Sequence, residues 1–176
     1  TMKLYLVRHG ETQMNVKGLI QSHSNHSLNK NGISQAEKIA NRLRNEQIDL
    51  IYSSDLDRAK ETAQEIGKHH SHITLIETPK LREKKAGILE GMEKKEAQKK
   101  FNKDVHKFHS FKPEGAESFE EAQQRIAQLY NKLLKKHKGK SVLLVAHGAI
   151  IGALLLFLLE KPLVWKEYDN HRPTNA

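Results

Sequence analysis

Residues 141–159 read SVLLVAHGAIIGALLLFLL, and the architecture turns on how this run is divided. It is apolar almost throughout and nearly reaches the length that crosses a membrane. His147 and Gly148 interrupt it, and the composition changes there. Ser141–Ala146 is strand-like, whereas Ala149–Leu159 reads as a buried helix. A strand buried on both faces, followed by a helix lying on the sheet, explains the pattern without a membrane span.

The same alternation runs outward to the rest of the chain. Met2–Val7 is a short apolar strand ending at Arg8, followed by a polar loop carrying Gly18, Asn25, Asn29, Asn31 and Gly32. Ser34 and Glu37 have capping-box spacing and predict a helix start, with an apolar stripe of Ala36, Ile39, Ala40 and Leu43. Asp49–Ser53 and Ile73–Glu77 read as strands, with a helix over Asp55–His69 between them. A charged helix is predicted from Glu93 to about Phe111. Ser118 and Glu121 form a second capping box ahead of the stripe Phe119, Ala122, Ile126, Leu129 and Leu133. Alternating strands and helices predict an α/β fold: a three-layer α/β/α sandwich with a mostly parallel central sheet, as one domain over residues 1–176.

Composition narrows the chemistry. The 176 residues contain no cysteine, which excludes disulfides, thiolate nucleophiles and thiolate-held metals. Lys and Arg number 30 against 21 Asp and Glu, a net charge of +9 that favours anionic partners. Aromatic residues are only 6%, too few for a base-stacking surface, so no nucleic acid is expected as partner. No targeting pattern is evident, and the cytoplasm is the expected location. His23, His26, His69, His70, His72, His106 and His109 show no closed tetrahedral spacing; they read as solvated, and no metal or cofactor is expected.

In a parallel sheet, ligands gather beyond the carboxyl ends of the strands. The first strand ends at Arg8-His9, the second leads through Ser53-Ser54 to Arg58, and the last ends at His147-Gly148. Phosphoryl transfer needs cations on the non-bridging oxygens, an in-line nucleophile and a proton for the leaving oxygen. Arginine, neutral imidazole and a carboxyl group suit these tasks in turn.

Arg8-His9-Gly10-Glu11-Thr12 resembles the signature of the histidine phosphatase superfamily, the phosphoglycerate mutase-like enzymes. The resemblance continues through Asn15, Leu28, Gly32, Ser53-Ser54-Asp55-Leu56-Asp57-Arg58-Ala59 and Leu81-Arg82-Glu83. Gly87, Glu90-Gly91, Gly115–Ser118 and Ala146-His147-Gly148 complete it over nearly the whole chain. It implies that His9 is the nucleophile, that Arg8, Arg58, His147 and Asn15 hold the phosphate, and that Glu83 is the proton donor. The implied activity is metal-independent hydrolysis of small phosphomonoesters. The alternatives are a phosphoglycerate mutase and a non-catalytic phosphate- or nucleic-acid-binding module. Ser22 and Asn25 stand where the family usually has Gly and Asp, and Lys84-Lys85-Ala86 replaces an apolar stretch. Those lysines either select a second anionic group or face water. Relatives continue past an Asn like Asn175 into a further strand, so an open sheet edge is expected. The oligomeric state is not specified.

Overall fold

The computed structural model describes residues 1–100 and 109–174. Strand β1 (Lys3–Arg8) is followed by the short helix α1 (Gln13–Val16) and by α2 (Lys30–Leu43). Strand β2 (Leu50–Ser53), α3 (Asp57–Gly67) and β3 (Thr74–Glu77) come next. After two single 3₁₀ turns come α4 (Lys94–Lys100), α5 (Phe119–Lys136), β4 (Ser141–Ala146), α6 (Gly148–Leu158) and α7 (Trp165–His171). The strands pair in the order β1-β4-β2-β3, and every pairing is parallel.

Residue alternation along the strands separates two layers of core. On β4, Val142, Leu144 and Ala146 pack with Ala122, Ile126 and Leu133 of α5 and with Ile150 and Leu154 of α6. Leu143 and Val145 face the opposite way, onto Ala40 and Leu43 of α2 and Ala59, Ala63 and Ile66 of α3. The three-layer sandwich expected from the sequence is therefore present. Its central strand is buried on both faces, which explains the unbroken apolar run in residues 142–146. Among the described residues no helix is long and apolar enough to cross a membrane.

Three expected boundaries shift. Helix α2 starts at Lys30, not Ser34, because the Asn29 side chain accepts from the Gly32 N–H and caps it one turn earlier. The loop after β1 closes on its own capping box, Thr12 with Asn15, and forms α1, which was not foreseen. The helix expected over Glu93–Phe111 is seen as α4; residues 101–108, His106 among them, lie outside the described residues, as does Asn175. The Ser118–Glu121 box stands as read, with Glu121 N–H on Ser118 Oγ at 3.1 Å and Ser118 N–H on Glu121 Oε2 at 2.9 Å.

One close approach holds the turn after β1 against α2. A Cβ at Gly32 would lie 2.1 Å from the Glu11 carbonyl oxygen, and one at Gly10 would lie 2.4 Å from the Gly32 carbonyl oxygen. Backbone meets backbone there, so neither chain can give way cheaply. Gly32→Ala is expected to destabilise the fold by about 2–3 kcal/mol, read as a fall in the urea midpoint. Gly67→Ala, where a Cβ meets nothing within 4 Å, should leave the midpoint unchanged or raise it. Equal midpoints for the two variants would contradict this packing.

Candidate active site

Because all four strands run the same way, the residues following β1, β2 and β4 arrive at one edge of the sheet. Arg8 is in register with Ala146, and Ser53 with Val145. The ladder continues one residue further, with His9 N–H on Ala146 O and Ser54 N–H on Val145 O, both 3.0 Å. His9 and His147 thus meet, with ring centroids 5.1 Å apart and a T-shaped arrangement.

The His9 imidazole is almost completely buried. Its Nδ1 lies 2.7 Å from the Gly10 carbonyl oxygen, which can only accept, so Nδ1 carries the proton and Nε2 keeps the lone pair. Burial first, then Arg58 and, more weakly, Arg8 depress its pKa to about 3, opposed by the hydrogen bond to the Gly10 carbonyl. The arginines act in the same direction as burial, which is the larger cause. His147 is also fully buried, and burial pushes its pKa well below the ordinary histidine value. Its Nε2 lies 2.8 Å from Ser54 Oγ.

Arg58 enters from the first turn of α3 with no exposed surface. It donates from Nη1 to Ser24 O (2.9 Å) and from Nη2 to Ser22 O (2.7 Å). Burial lowers its pKa to about 10, which still leaves it charged near neutrality. Arg8 donates from Nη1 to Pro173 O at 2.9 Å. Its guanidinium lies against the start of α6, where a Cβ at Gly148 would sit 3.3 Å from its Cζ and Nε. Arg8 Nε, Arg58 Nε and His147 Nδ1 are all buried without a hydrogen-bond partner.

Glu83 reaches the same place from the segment after β3. Its carboxylate caps α6: Oε2 accepts from Ala149 N–H, and Oε1 from Ile150 N–H, both at 3.0 Å. A third donor, Lys84 N–H, lies 2.8 Å from Oε1. This position at a helix N-terminus aims the carboxylate with backbone rather than with flexible side chains. Asn15 uses Oδ1 to accept from Thr12 N–H at 3.0 Å, leaving its amide NH₂ for other partners.

A cavity of about 380 Å³ opens onto this cluster. Arg8, His9, Asn15 and Glu83 line it, whereas Arg58 and His147 are fully buried rather than part of its wall. Over residues 4–175 the sequence matches the family model described as histidine phosphatase superfamily, branch 1. The chain belongs to the histidine phosphatase superfamily.

Relatives agree with that membership. A metal-independent phosphoserine phosphatase of Arabidopsis thaliana is 39% identical over 160 residues, covering 88% of this chain and 67% of its own. A probable phosphoglycerate mutase of Yersinia pestis is 36% identical over 168 residues, covering 92% and 76%. The solved structure of a mycobacterial glucosyl-3-phosphoglycerate phosphatase superposes with a TM-score of 0.87 at 28% identity, covering 98% of this chain and 86% of that one.

Within this histidine phosphatase fold, several lining residues had no sequence signal. Gln21 lines the cavity and accepts from Thr12 Oγ1 at 3.0 Å, yet its loop has no periodicity to mark it. Lys94 also lines the cavity, as do Trp165, Tyr168, Arg172 and Phe119, the last a member of the apolar stripe read along α5. His23 is not simply solvated: its Nε2 lies 2.8 Å from the Glu83 carbonyl oxygen. The two lysines after Glu83 part company. Lys84 lines the cavity with its ammonium 5.3 Å from the Phe119 ring centre, while Lys85 is exposed away from it. Ser22 lines the cavity, but Asn25 is taken up by Asp57. Among the described residues no cluster of three or more His, Cys, Asp or Glu could hold a metal ion.

The buried imidazole makes stability pH-dependent. The folded pKa of His9, about 3, lies below its ordinary 6.5, so the unfolded chain binds the extra proton between those values. Stability is then complete above about pH 6.5 and falls as pH drops, by about 2 kcal/mol at about pH 5 from His9 alone. Carboxylates with ordinary pKa values add little in that window. Urea unfolding across it should show a slope of at least this size, and His9→Asn should reduce it without abolishing it, because the buried His147 contributes in the same direction. A slope unchanged by the substitution would show that His9 protonates freely in the folded protein.

Proposed function

We propose that the chain hydrolyses phosphomonoesters in two steps through a phosphohistidine on His9. The observation that carries this reading is the set of buried, unpartnered donors around one buried neutral imidazole: Arg8 Nε, Arg58 Nε and His147 Nδ1. Buried polar atoms are rarely left without partners. Phosphoryl oxygens, unlike any apolar ligand, would satisfy three donors at once.

In the first step the His9 Nε2 lone pair attacks phosphorus and the P–O bond to the alcohol breaks. Glu83 gives its proton to the departing oxygen. In the second step Glu83 takes a proton from water, the oxygen attacks phosphorus, the N–P bond breaks, and inorganic phosphate leaves with His9 restored. Arg8, Arg58, His147 and the Asn15 amide carry the charge on the non-bridging oxygens, where electrostatic preorganisation contributes most. Every proton in the cycle is carried by water or Glu83, so both steps balance without a metal ion.

The charge of the cavity wall supports one substrate class. It carries four cationic side chains, Arg8, Lys84, Lys94 and Arg172, and one carboxylate, Glu83. Arg172 is partly balanced by Asp169 at 2.9 Å. Lys94 has its pKa lowered by partial burial, Arg8 and Arg172, a sign that cations outnumber anions around it. A phosphate dianion uses the charge near His9, and a second anionic group would use the charge near Lys94. Small phosphomonoesters that also bear a carboxylate are therefore the favoured substrates. The phosphoserine and glucosyl-3-phosphoglycerate named for two relatives both have that chemistry.

The test is phosphate release in the presence of a chelator, by the native chain and by His9→Ala. Turnover of p-nitrophenyl phosphate should survive the chelator and disappear with His9. 3-Phosphoglycerate should exceed glycerol 3-phosphate in kcat/KM by roughly tenfold or more, and Lys94→Gln should remove most of that preference. Undiminished turnover in His9→Ala would refute the nucleophile. Stoichiometric interconversion of phosphoglycerates with little phosphate release would favour the mutase reading instead.

A further inference from the structure

We propose that Ser54 is a positioning residue: its hydroxyl holds His147 in the Nδ1–H tautomer, so that the ring presents a donor to the transferring phosphoryl group. The proposal rests on the phosphoryl-transfer reading above for its purpose, but the tautomer itself is fixed by local hydrogen-bond accounting.

Ser54 follows β2 and has no exposed surface. Its N–H continues the sheet ladder to Val145 O, so the residue has little freedom to move. Its Oγ has two neighbours, the Leu56 N–H at 3.4 Å and His147 Nε2 at 2.8 Å. Leu56 N–H can only donate, and it therefore uses an Oγ lone pair. The hydroxyl hydrogen needs an acceptor, and among the described residues His147 Nε2 is the one within reach. Had Nε2 carried the proton, Oγ would face two donors and its own hydrogen would be stranded in a buried site. Nε2 is therefore the acceptor, and the single proton of the neutral ring sits on Nδ1.

That atom is buried and without a partner in the structure. The ring it belongs to stands 5.1 Å, centre to centre, from the ring of His9. Burial and the fields of Arg58, His9 and Arg8 disfavour a second proton on His147. An imidazolium, which would donate from both nitrogens, is thus not the resting form. The tautomer decides whether a phosphoryl oxygen meets an N–H or a lone pair, and a lone pair would repel it. A hydroxyl that never touches substrate thereby sets the sign of a contact in the transition state.

The direct test is the full chain labelled with ¹⁵N-histidine, studied by long-range ¹H–¹⁵N correlation, with His147→Gln used to assign the signals. The expected spectrum shows His147 protonated at Nδ1 and bare at Nε2. Ser54→Ala should shift the ring toward the Nε2–H form. It should also lower kcat for p-nitrophenyl phosphate by roughly tenfold, with a smaller change in KM. Ser54→Thr, which keeps the hydroxyl, should recover the Nδ1–H signature. A native His147 protonated at Nε2 overturns the proposal whether or not the variants fold. So does a folded Ser54→Ala protein with native tautomer and native turnover. The spectrum is recorded without substrate, so a native chain that hydrolyses no phosphomonoester would count against the phosphatase reading and not against the tautomer.

Discussion

The structure depends on keeping one guanidinium, that of Arg58, charged and fully out of water beside two imidazoles. An isolated buried cation costs several kcal/mol, and the surroundings are arranged to offset that cost. The carbonyls of Ser22 and Ser24 accept from it directly. Their loop is tied down by Glu90, which accepts from Ser22 N–H (2.8 Å), His23 N–H (3.0 Å), Ser24 Oγ (2.6 Å) and Ser22 Oγ. Thr62 links the backbone of Arg58 to the signature turn, donating to Arg58 O at 2.7 Å and accepting from Gly10 N–H at 3.1 Å. The same charge helps keep His9 neutral, so the cation that would hold phosphate also preserves the nucleophile that would take it.

Glu83 answers this concentration of positive charge from the opposite direction. It favours the charged forms of both Arg8 and Arg58. Its seat on the first N–H groups of α6 joins the sheet edge, the helix terminus and the cavity in one contact. The long apolar run of residues 141–159 is thus two devices in series. A central strand delivers His147, and a buried helix offers its N-terminus to Glu83. Gly148 lies between them because Arg8 packs against that point.

Much of this was legible in the sequence, and the parts that were not have physical reasons. Strands and major helices could be read because β4 is buried on both faces and α2, α3 and α5 on one, so periodicity recorded their burial. His9, Arg8, Arg58, His147 and Glu83 could be named because they stand at fixed offsets from strand ends or in motif blocks. Asn29 as the cap of α2 was hidden by the better-spaced Ser34 and Glu37, which lie inside the helix. Gln21, Lys94 and Arg172 were invisible because their placement depends on long-range loop packing, such as Gly91 N–H on Ile20 O at 2.8 Å. Lys84 and Lys85 are chemically identical neighbours, and what separates them is tertiary: the Lys84 N–H is held by Glu83 and the Lys85 N–H by Glu117 of a distant segment.

A phosphohistidine mechanism requires phosphorus to become bonded to His9 Nε2 during turnover. The most direct measurement is to mix the native chain with radiolabelled phosphomonoester, quench within a single turnover, and map the label by peptide. The expected label is a phosphoryl group that is acid-labile and alkali-stable, carried by the peptide containing His9, and chased away by unlabelled substrate. Turnover with no covalent label, or label carried by a peptide lacking His9, would contradict it.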